Sequence, residues 1–206
     1  MNVRDMKSAK SYLDIYIAKI AGVPDGFVLP RARLDELDLI SNESVKREKR
    51  FAFLLLGYAI EKSLGIKMVD VEFSRLASGK WICPVCEFSI SHASGYCAVA
   101  VSQDRVGVDI EKIALPRSSA FAKRALTGEE FSEYSKLSAE AALRFLVLKW
   151  CEKESAFKAS GGDIFVPSDT NTANSHSRII KLSGEEYALA VCSEDISDMR
   201  IFKCEI

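Results

Sequence analysis

The sequence predicts an α+β protein with two halves of similar element order, residues 1–103 and 104–206. In each half, a long helix-like stretch with a broad apolar face comes before a series of strand-like stretches. The two long helices are predicted over 41–64 and 139–160, with glycine directly after each end. Because 48% of the residues are hydrophobic, a chain of this length can bury a sizeable core.

Alternating apolar and polar residues after the first long helix predict several short strands. A polar loop at 103–105 joins the last two of them, which predicts that they pair as a hairpin. The predicted strands cover residues 67–73, 88–91, 96–102 and 106–110.

The second half is predicted to add shorter helices and closing strands. Residues 118–126 have the composition of a short helix. Thr127 and Glu130 have the spacing of a capping box, which predicts the start of another helix. The closing strands are predicted at 178–182, 187–192 and 200–204.

Composition argues against several classes of partner. The formal net charge is −1, from 28 basic and 29 acidic side chains, so the whole chain has no field that would attract nucleic acid or an anionic membrane. No apolar run approaches the roughly 18 residues of a membrane span, and the polar N-terminus does not have the pattern of a secretory signal. We therefore predict a cytoplasmic protein without nucleic-acid or membrane partners.

The six cysteines allow a metal or disulfide interpretation. Cys83 and Cys86 have the spacing of half a zinc site, but the other cysteines form no second pair at that spacing. We predict reduced, mostly buried thiols that behave as small hydrophobic residues.

Two acidic segments carry the chemistry. In the first, apolar residues alternate with Gly107, Asp109 and Glu111, so a strand would direct both carboxylates to one face. In the second, Glu154 and Lys158 are four apart and lie on one helix face. Each segment alone is more often a solvated surface. Together they offer the carboxylate ligands of a hard cation, with a lysine for a phosphate.

These segments resemble the signature of the Sfp-type 4'-phosphopantetheinyl transferase superfamily. The first corresponds to the Gly-x-Asp-x-Glu strand, and Trp150–Lys158, which begins 39 positions after Glu111, corresponds to the family's second motif. Upstream, Gly79-Lys80 is similar to the family's Gly-Lys-Pro turn, and Phe88–His92 is similar to its Phe-x-x-Ser-His motif. The motifs occur in the family's order.

The resemblance implies the 4'-phosphopantetheinyl transferase fold, in which two similar α+β halves have a pseudo-twofold arrangement. Coenzyme A would lie in the cleft between the halves of this pseudo-dimeric monomer. It implies transfer of 4'-phosphopantetheine from coenzyme A to a serine of an apo acyl or peptidyl carrier protein. Magnesium would assist, and adenosine 3',5'-bisphosphate would leave. Two other classes stay open: a magnesium-dependent phosphohydrolase acting on coenzyme A-like substrates, and a non-catalytic module that binds carrier protein or coenzyme A.

The same resemblance implies roles for individual residues, with the nucleotide site in the first half and the metal site in the second. The general base is either Glu154 or a metal-bound water. The implied metal ligands are Asp109, Glu111 and Glu154; the implied catalytic residues are Glu154, Lys158 and His92; the implied binders of coenzyme A are Lys80, Ser91, His92, Arg50, Lys153 and Lys158.

The chain departs from the family pattern at several positions. Phe53 stands where many members carry an arginine, so Arg50 is predicted to substitute for it from one turn earlier. Cys151 stands where serine or threonine is common. For the carrier protein, which is generally acidic, we predict a basic docking surface that contains Arg117, Lys123 and Arg124.

Overall fold

A computed structural model describes residues 12–114 and 119–206. It confirms the predicted α+β class, while the division at residue 103 and the pseudo-twofold relation stay predictions. The described helices are α1 (Arg31–Asp38), α2 (Glu43–Leu64), α3 (Ser119–Ala125), α4 (Gly128–Tyr134) and α5 (Ala139–Ser160). The described strands are β1 (Leu13–Lys19), β2 (Ser74–Arg75), β3 (Trp81–Ile82), β4 (Glu87–Ala93), β5 (Tyr96–Ser102), β6 (Val106–Lys112), β7 (Ser175–Leu182), β8 (Glu185–Ser193) and β9 (Met199–Cys204).

The two long helices begin and end where polar caps and glycines predict. The Asn42 side chain accepts the first free backbone N–H groups of α2, and Ser138 does the same for α5. Gly65 and Gly161 end the helices in the left-handed conformation, with φ of 71° and 68°. The capping box of Thr127 and Glu130 at the start of α4 is also confirmed. No helix within the described ranges combines the length and apolar character of a membrane span.

Two sheets carry most of the strands. One has the order β4-β5-β1-β9 and the other has the order β6-β8-β7. Strand β1 is antiparallel to β5 and parallel to β9, so the C-terminal strand completes the first sheet. Sequence patterning did not predict β1, because six of its seven residues are buried and include Asp14, which pairs with Arg200.

The predicted hairpin between β5 and β6 is wrong. Strand β5 pairs with β4 through the turn at Ser94 and Gly95, and β6 pairs with β8 in the other sheet. The polar loop 103–105 instead carries the chain from one sheet to the other. This arrangement is favourable because apolar side chains of β6 join those of β1 and β5 in one buried cluster.

The predicted strand at 67–73 is also wrong. Residues 68–70 form a short 3-10 helix, and only the two-residue strand β2 follows it. Met68 is buried against Gly57 of α2, where a Cβ atom would lie 3.0 Å from its sulfur. The chain turns here to cover α2 instead of extending as a strand.

Strand β6 lies directly on the backbone of α5, and Gly107 makes this contact possible. A Cβ atom at Gly107 would lie 1.9 Å from the carbonyl oxygen of Ser155 and 2.6 Å from the backbone nitrogen of Ala159. Both neighbours are backbone atoms of a long helix, so neither can move aside cheaply. Because glycine has no side chain, β6 can lie this close to α5, which brings Asp109 and Glu111 near the helix.

We expect Gly107→Ala to lower the free energy of unfolding by at least about 3 kcal/mol, because β6 and α5 must separate to admit the methyl group. Denaturant unfolding measures the change. Gly22→Ala is the matched control, since Gly22 is exposed and a Cβ there meets nothing within 4 Å. Equal stability of the Gly107→Ala variant and the wild type would contradict the close contact.

Candidate active site

The candidate site forms where β4, β6 and α5 meet. Ser89 and Ser91 occupy alternate positions on β4, and both are buried with their hydroxyls directed to β6. The backbone N–H of Val108 donates to Ser89 Oγ at 3.0 Å. Ser91 Oγ donates to Asp109 Oδ1 at 2.7 Å. Two hydroxyls thus join the edge of one sheet to the edge of the other.

Asp109 is the centre of this network and is only 4% exposed. Its Oδ1 also accepts from Lys158 Nζ at 2.6 Å, and its Oδ2 accepts from Cys151 Sγ at 3.1 Å. Burial raises the pKa of the Cys151 thiol well above its usual value, and the charge of Asp109 adds to the effect. Cys151 therefore stays a neutral donor to the carboxylate.

Lys158 joins the buried network to the surface. Its ammonium contacts Asp109, Ser91 Oγ at 3.1 Å and Val108 O at 3.3 Å, while 28% of the side chain is exposed. A charged donor in this position balances the buried carboxylate and can still reach a ligand at the surface.

Glu154, one turn before Lys158, is half-buried and shares the same electrostatic environment. Burial raises its pKa, and the negative charges of Asp109 and Glu111 raise it further, although Lys158 acts in the opposite direction. The structure therefore brings the three carboxylates that sequence analysis grouped into mutual electrostatic contact.

These carboxylates fit a hard cation by their chemistry. Carboxylate oxygens are the ligands that magnesium prefers. Burial is the main cause of the raised pKa of Glu154, and the charges of Asp109 and Glu111, which add to it, are ones that a cation would neutralise. Within the described ranges, however, no group of three or more His, Cys, Asp or Glu side chains is arranged to hold a metal ion. The ammonium of Lys158 bonds Asp109, so a cation that binds Asp109 must displace it.

A pocket of about 240 Å³ opens beside the network. It lies between the segment leading into β4 and the C-terminal end of α5. Lys80 and Lys158 provide positive charge on its wall, and Trp81, Phe88 and Phe157 provide apolar surface. Such a pocket suits a ligand that combines phosphate groups with apolar parts.

Comparison with known proteins identifies the family. Residues 105–201, which include β6 and α5, match the family model described as the 4'-phosphopantetheinyl transferase superfamily. This match and the relatives described below support the predicted superfamily. The predicted family and the predicted enzyme class are thereby confirmed.

Three proteins of Bacillus subtilis are among the relatives that are similar to this chain. A protein named 4'-phosphopantetheinyl transferase is 27% identical over 159 residues, which cover 68% of this chain and 70% of the relative. The transferases named ffp and Sfp, the latter from strain 168, are 28% and 27% identical over 126 residues, covering 60% of this chain. The chain spans only 56% of the length of these last two relatives.

Other predicted binding residues of the transferase lie apart from Asp109. His92 follows Ser91 on β4 and so faces the opposite side, where its Nδ1 lies 3.6 Å from Glu48 Oε2 on α2. Arg50 is exposed on the same helix. Lys80 lines the pocket, and its Nζ lies 3.6 Å from Glu87 Oε2.

Lys153 has a different environment from Lys158. Its side chain is only 1% exposed, and its ammonium donates to Glu130 Oε2 at 2.5 Å and to Ala125 O at 2.7 Å. Burial acts to raise the pKa of Glu130, but Lys153 and the capping bond at Thr127 hold it below its usual value. In this arrangement Lys153 ties α5 to the segment between α3 and α4 and does not join the Asp109 network.

The predicted docking surface of the transferase is described in part. Lys123 and Arg124 are exposed in the last turn of α3, and Lys123 Nζ lies 6.0 Å from the ring centre of Phe131. Arg117 lies outside the described residues.

Sequence analysis missed two contributors to the site, Ser89 and the thiol contact of Cys151. The period of two along β4 places Ser89 on the same face as Ser91, and this signal could have found it. The contact between Cys151 and Asp109 depends on how β6 and α5 pack together, so no local pattern contains it.

We expect Lys153→Met to lower the free energy of unfolding by roughly 2–4 kcal/mol, because it leaves Glu130 without its buried partner. Lys149→Met is the matched control on the same helix; the Lys149 side chain is 30% exposed and pairs with Glu152, so its loss should cost less than about 1 kcal/mol. Denaturant unfolding compares them. An unchanged stability together with weakened coenzyme A binding would instead support the predicted contact of Lys153 with phosphate.

Proposed function

We propose that this transferase moves 4'-phosphopantetheine from coenzyme A to a serine hydroxyl of an apo acyl or peptidyl carrier protein and releases adenosine 3',5'-bisphosphate. The observation that supports this proposal best is the bonding of Asp109 to Ser91 and Lys158 at the junction of the two sheets, beside a pocket that contains a second lysine. The site thus combines carboxylates for a cation with ammonium groups for phosphates.

The pocket is the proposed site for coenzyme A. Lys80 and Lys158 would bind its phosphate oxygens, and Trp81 and Phe88 would contact its apolar parts. Lys158 already bonds Asp109, so a phosphate at this ammonium would lie beside the carboxylates. Arg50 on α2, and His92 on the face of β4 that lies beside Glu48 of α2, are proposed to contact the nucleotide.

Asp109, Glu111 and Glu154 would hold magnesium, the cation that suits their oxygen donors. When bound, magnesium would neutralise negative charge on the pyrophosphate. Lys158 would then be free to bind the phosphate that leaves, where a charged donor stabilises the developing negative charge.

The serine hydroxyl of the carrier must lose its proton as it attacks. Glu154 is the proposed acceptor, because burial and its acidic neighbours raise its pKa toward the operating pH, which makes it a better base than an ordinary glutamate. The proton would pass to a Glu154 carboxylate oxygen as the bond between the serine oxygen and phosphorus forms.

The proposed partner is an acidic carrier protein, and the exposed Lys123 and Arg124 of α3 are the proposed docking residues. We propose that the transferase acts as a monomer in the cytoplasm. The six cysteines are free thiols in the structure, a state that persists in a reducing compartment.

Mass spectrometry of an apo carrier protein incubated with the transferase, coenzyme A and magnesium tests the reaction. The carrier should gain one phosphopantetheine group on a single serine. Asp109→Asn should reduce the rate at least about a hundredfold, because the amide can neither balance Lys158 nor bind a cation strongly. Asp104→Asn is the control, since Asp104 is exposed in the loop before β6.

The outcome separates the possible classes. Cleavage of coenzyme A at the same rate with and without a carrier would replace the proposal with hydrolysis. Binding of coenzyme A without any turnover, tested with acyl and peptidyl carriers alike, would identify a non-catalytic module.

Magnesium binding has a readout that does not need turnover. We expect millimolar magnesium to raise the unfolding temperature of the wild type, by an amount that corresponds to about 1.4 kcal/mol when magnesium is at ten times its dissociation constant. Glu154→Gln should abolish the shift, whereas Glu152→Gln should keep it, because Glu152 bonds Lys149 and Ser177 instead. Equal shifts in both variants would place the cation elsewhere.

A further inference from the structure

The loop between β3 and β4 holds two thiols in contact. Cys83 and Cys86 are separated by Pro84 and Val85, and their sulfur atoms lie 3.7 Å apart. Both side chains are half-buried, while Pro84 is exposed. The remaining cysteines have other neighbours: Cys97 and Cys151 are buried, and Cys192 and Cys204 lie on β8 and β9.

We propose that Cys83 and Cys86 are a redox-active dithiol, which exchanges with low-molecular-weight disulfides and closes to a disulfide within the loop. The sulfurs must approach from 3.7 Å to the bond length of about 2.05 Å. Rotation of two side chains in a short turn can provide that movement, because the two residues are already adjacent across the turn.

The two thiols are not equivalent, and their environments assign the order of events. The hydrogen bond with Cys86 lowers the pKa of Cys83 to about 6; burial and Glu87 oppose this, while backbone hydrogen bonds at Val85 and Cys86 add to it. The bond to Cys83, burial and the charge on Cys83 raise the pKa of Cys86. The backbone hydrogen bonds at Val85 and Cys86 reach the sulfur of Cys83, where they would stabilise a thiolate, so Cys83 is assigned as the attacking thiolate and Cys86 as the thiol that closes the ring.

The exchange takes two steps. The Cys83 thiolate attacks one sulfur of a small disulfide, forms a mixed disulfide and expels one thiolate, which takes up a proton. Cys86 then loses its proton and attacks the Cys83 sulfur, which expels the second thiol. From the Cys83 thiolate, the loop loses two electrons and the proton of Cys86; this proton and one from solvent convert the two expelled thiolates to thiols. After the first step Cys83 has no charge, so one cause of the raised pKa of Cys86 is removed.

The loop also touches the proposed coenzyme A pocket at both ends. Trp81 on β3 and Phe88 on β4 line the pocket. Glu87, next to Cys86, has its Oε2 atom 3.6 Å from Lys80 Nζ. Tyr12 lies near the thiols, since Cys83 and Cys86 both affect the pKa of its hydroxyl, which burial raises most. The loop that holds the dithiol is therefore packed against the rest of the molecule, and both thiols are half-buried.

A zinc half-site is the competing use of two such cysteines. The described part of the chain offers no group of three or more His, Cys, Asp or Glu that could hold a metal here. The contact between the sulfurs accounts for both thiols without a further ligand.

An exchange experiment with the reduced full chain tests the proposal. The chain is incubated with glutathione disulfide at neutral pH, quenched with acid and alkylated, and the products are identified by intact mass and peptide mapping. The wild type should lose two hydrogens and retain no glutathione, with the bond mapped between Cys83 and Cys86. Cys86→Ser should retain one glutathione on Cys83, because the second step is removed. Cys83→Ser should react at position 86 at least about tenfold more slowly.

Cys192→Ser and Cys204→Ser are the matched controls and should behave as the wild type does. Three results would overturn the proposal, and the wild type alone is sufficient to reveal each of them. The first is a stable mixed disulfide on the wild type, the second is a disulfide mapped elsewhere, and the third is a purified protein in which both thiols are blocked by zinc until a chelator removes it.

Discussion

The close contact between β6 and α5 is the constraint on which the site depends. Gly107 has no side chain, and the backbone of α5 occupies the space that a Cβ atom would need. Strand β6 therefore lies near enough to the helix for Asp109 to bond both Cys151 and Lys158. A longer separation would leave the buried carboxylate with Ser91 but without the ammonium and the thiol, and a buried charge without an opposite charge beside it is unfavourable.

The electrostatics of the site follow from this geometry. A carboxylate as buried as Asp109 needs positive charge close by, and the ammonium of Lys158 supplies it at 2.6 Å. Any cation that binds Asp109 competes with that ammonium, and any phosphate that binds Lys158 competes with Asp109. If a cation and a phosphate bind together, neither Asp109 nor Lys158 loses an opposite charge. The cation then pairs with Asp109, and the phosphate pairs with Lys158. This coupling supports the proposal that the two ligands share one site.

Local patterns predicted the long elements well and the pairing of strands poorly. Helices α2 and α5 have polar caps, terminal glycines and apolar faces, and all three signals lie within each helix. The contacts of β5 and β6 depend on which buried cluster each apolar face joins, and the loop 103–105 is equally compatible with a hairpin and with a change of sheet. Strand β1 gave no alternating signal, because almost all of it is buried and it contains Asp14, whose partner Arg200 lies at the other end of the sequence.

The same limit applies to the lysines of α5. The spacing of Glu154 and Lys158 is visible in the sequence, and it places Lys158 beside the carboxylates as expected. Lys153 is next to Glu154 and has the same charge as Lys158. The turn of the helix directs Lys153 toward α4, where its ammonium donates to Glu130 of the capping box and to Ala125 O. Sequence alone gives both residues the same chemistry, because a motif records residue types and not the surface that each side chain meets. Exposure separates the lysine that is proposed to bind phosphate from the one that joins helices. Lys158 is 28% exposed and can exchange partners with a ligand, whereas Lys153 is 1% exposed and would have to leave a buried carboxylate to do so.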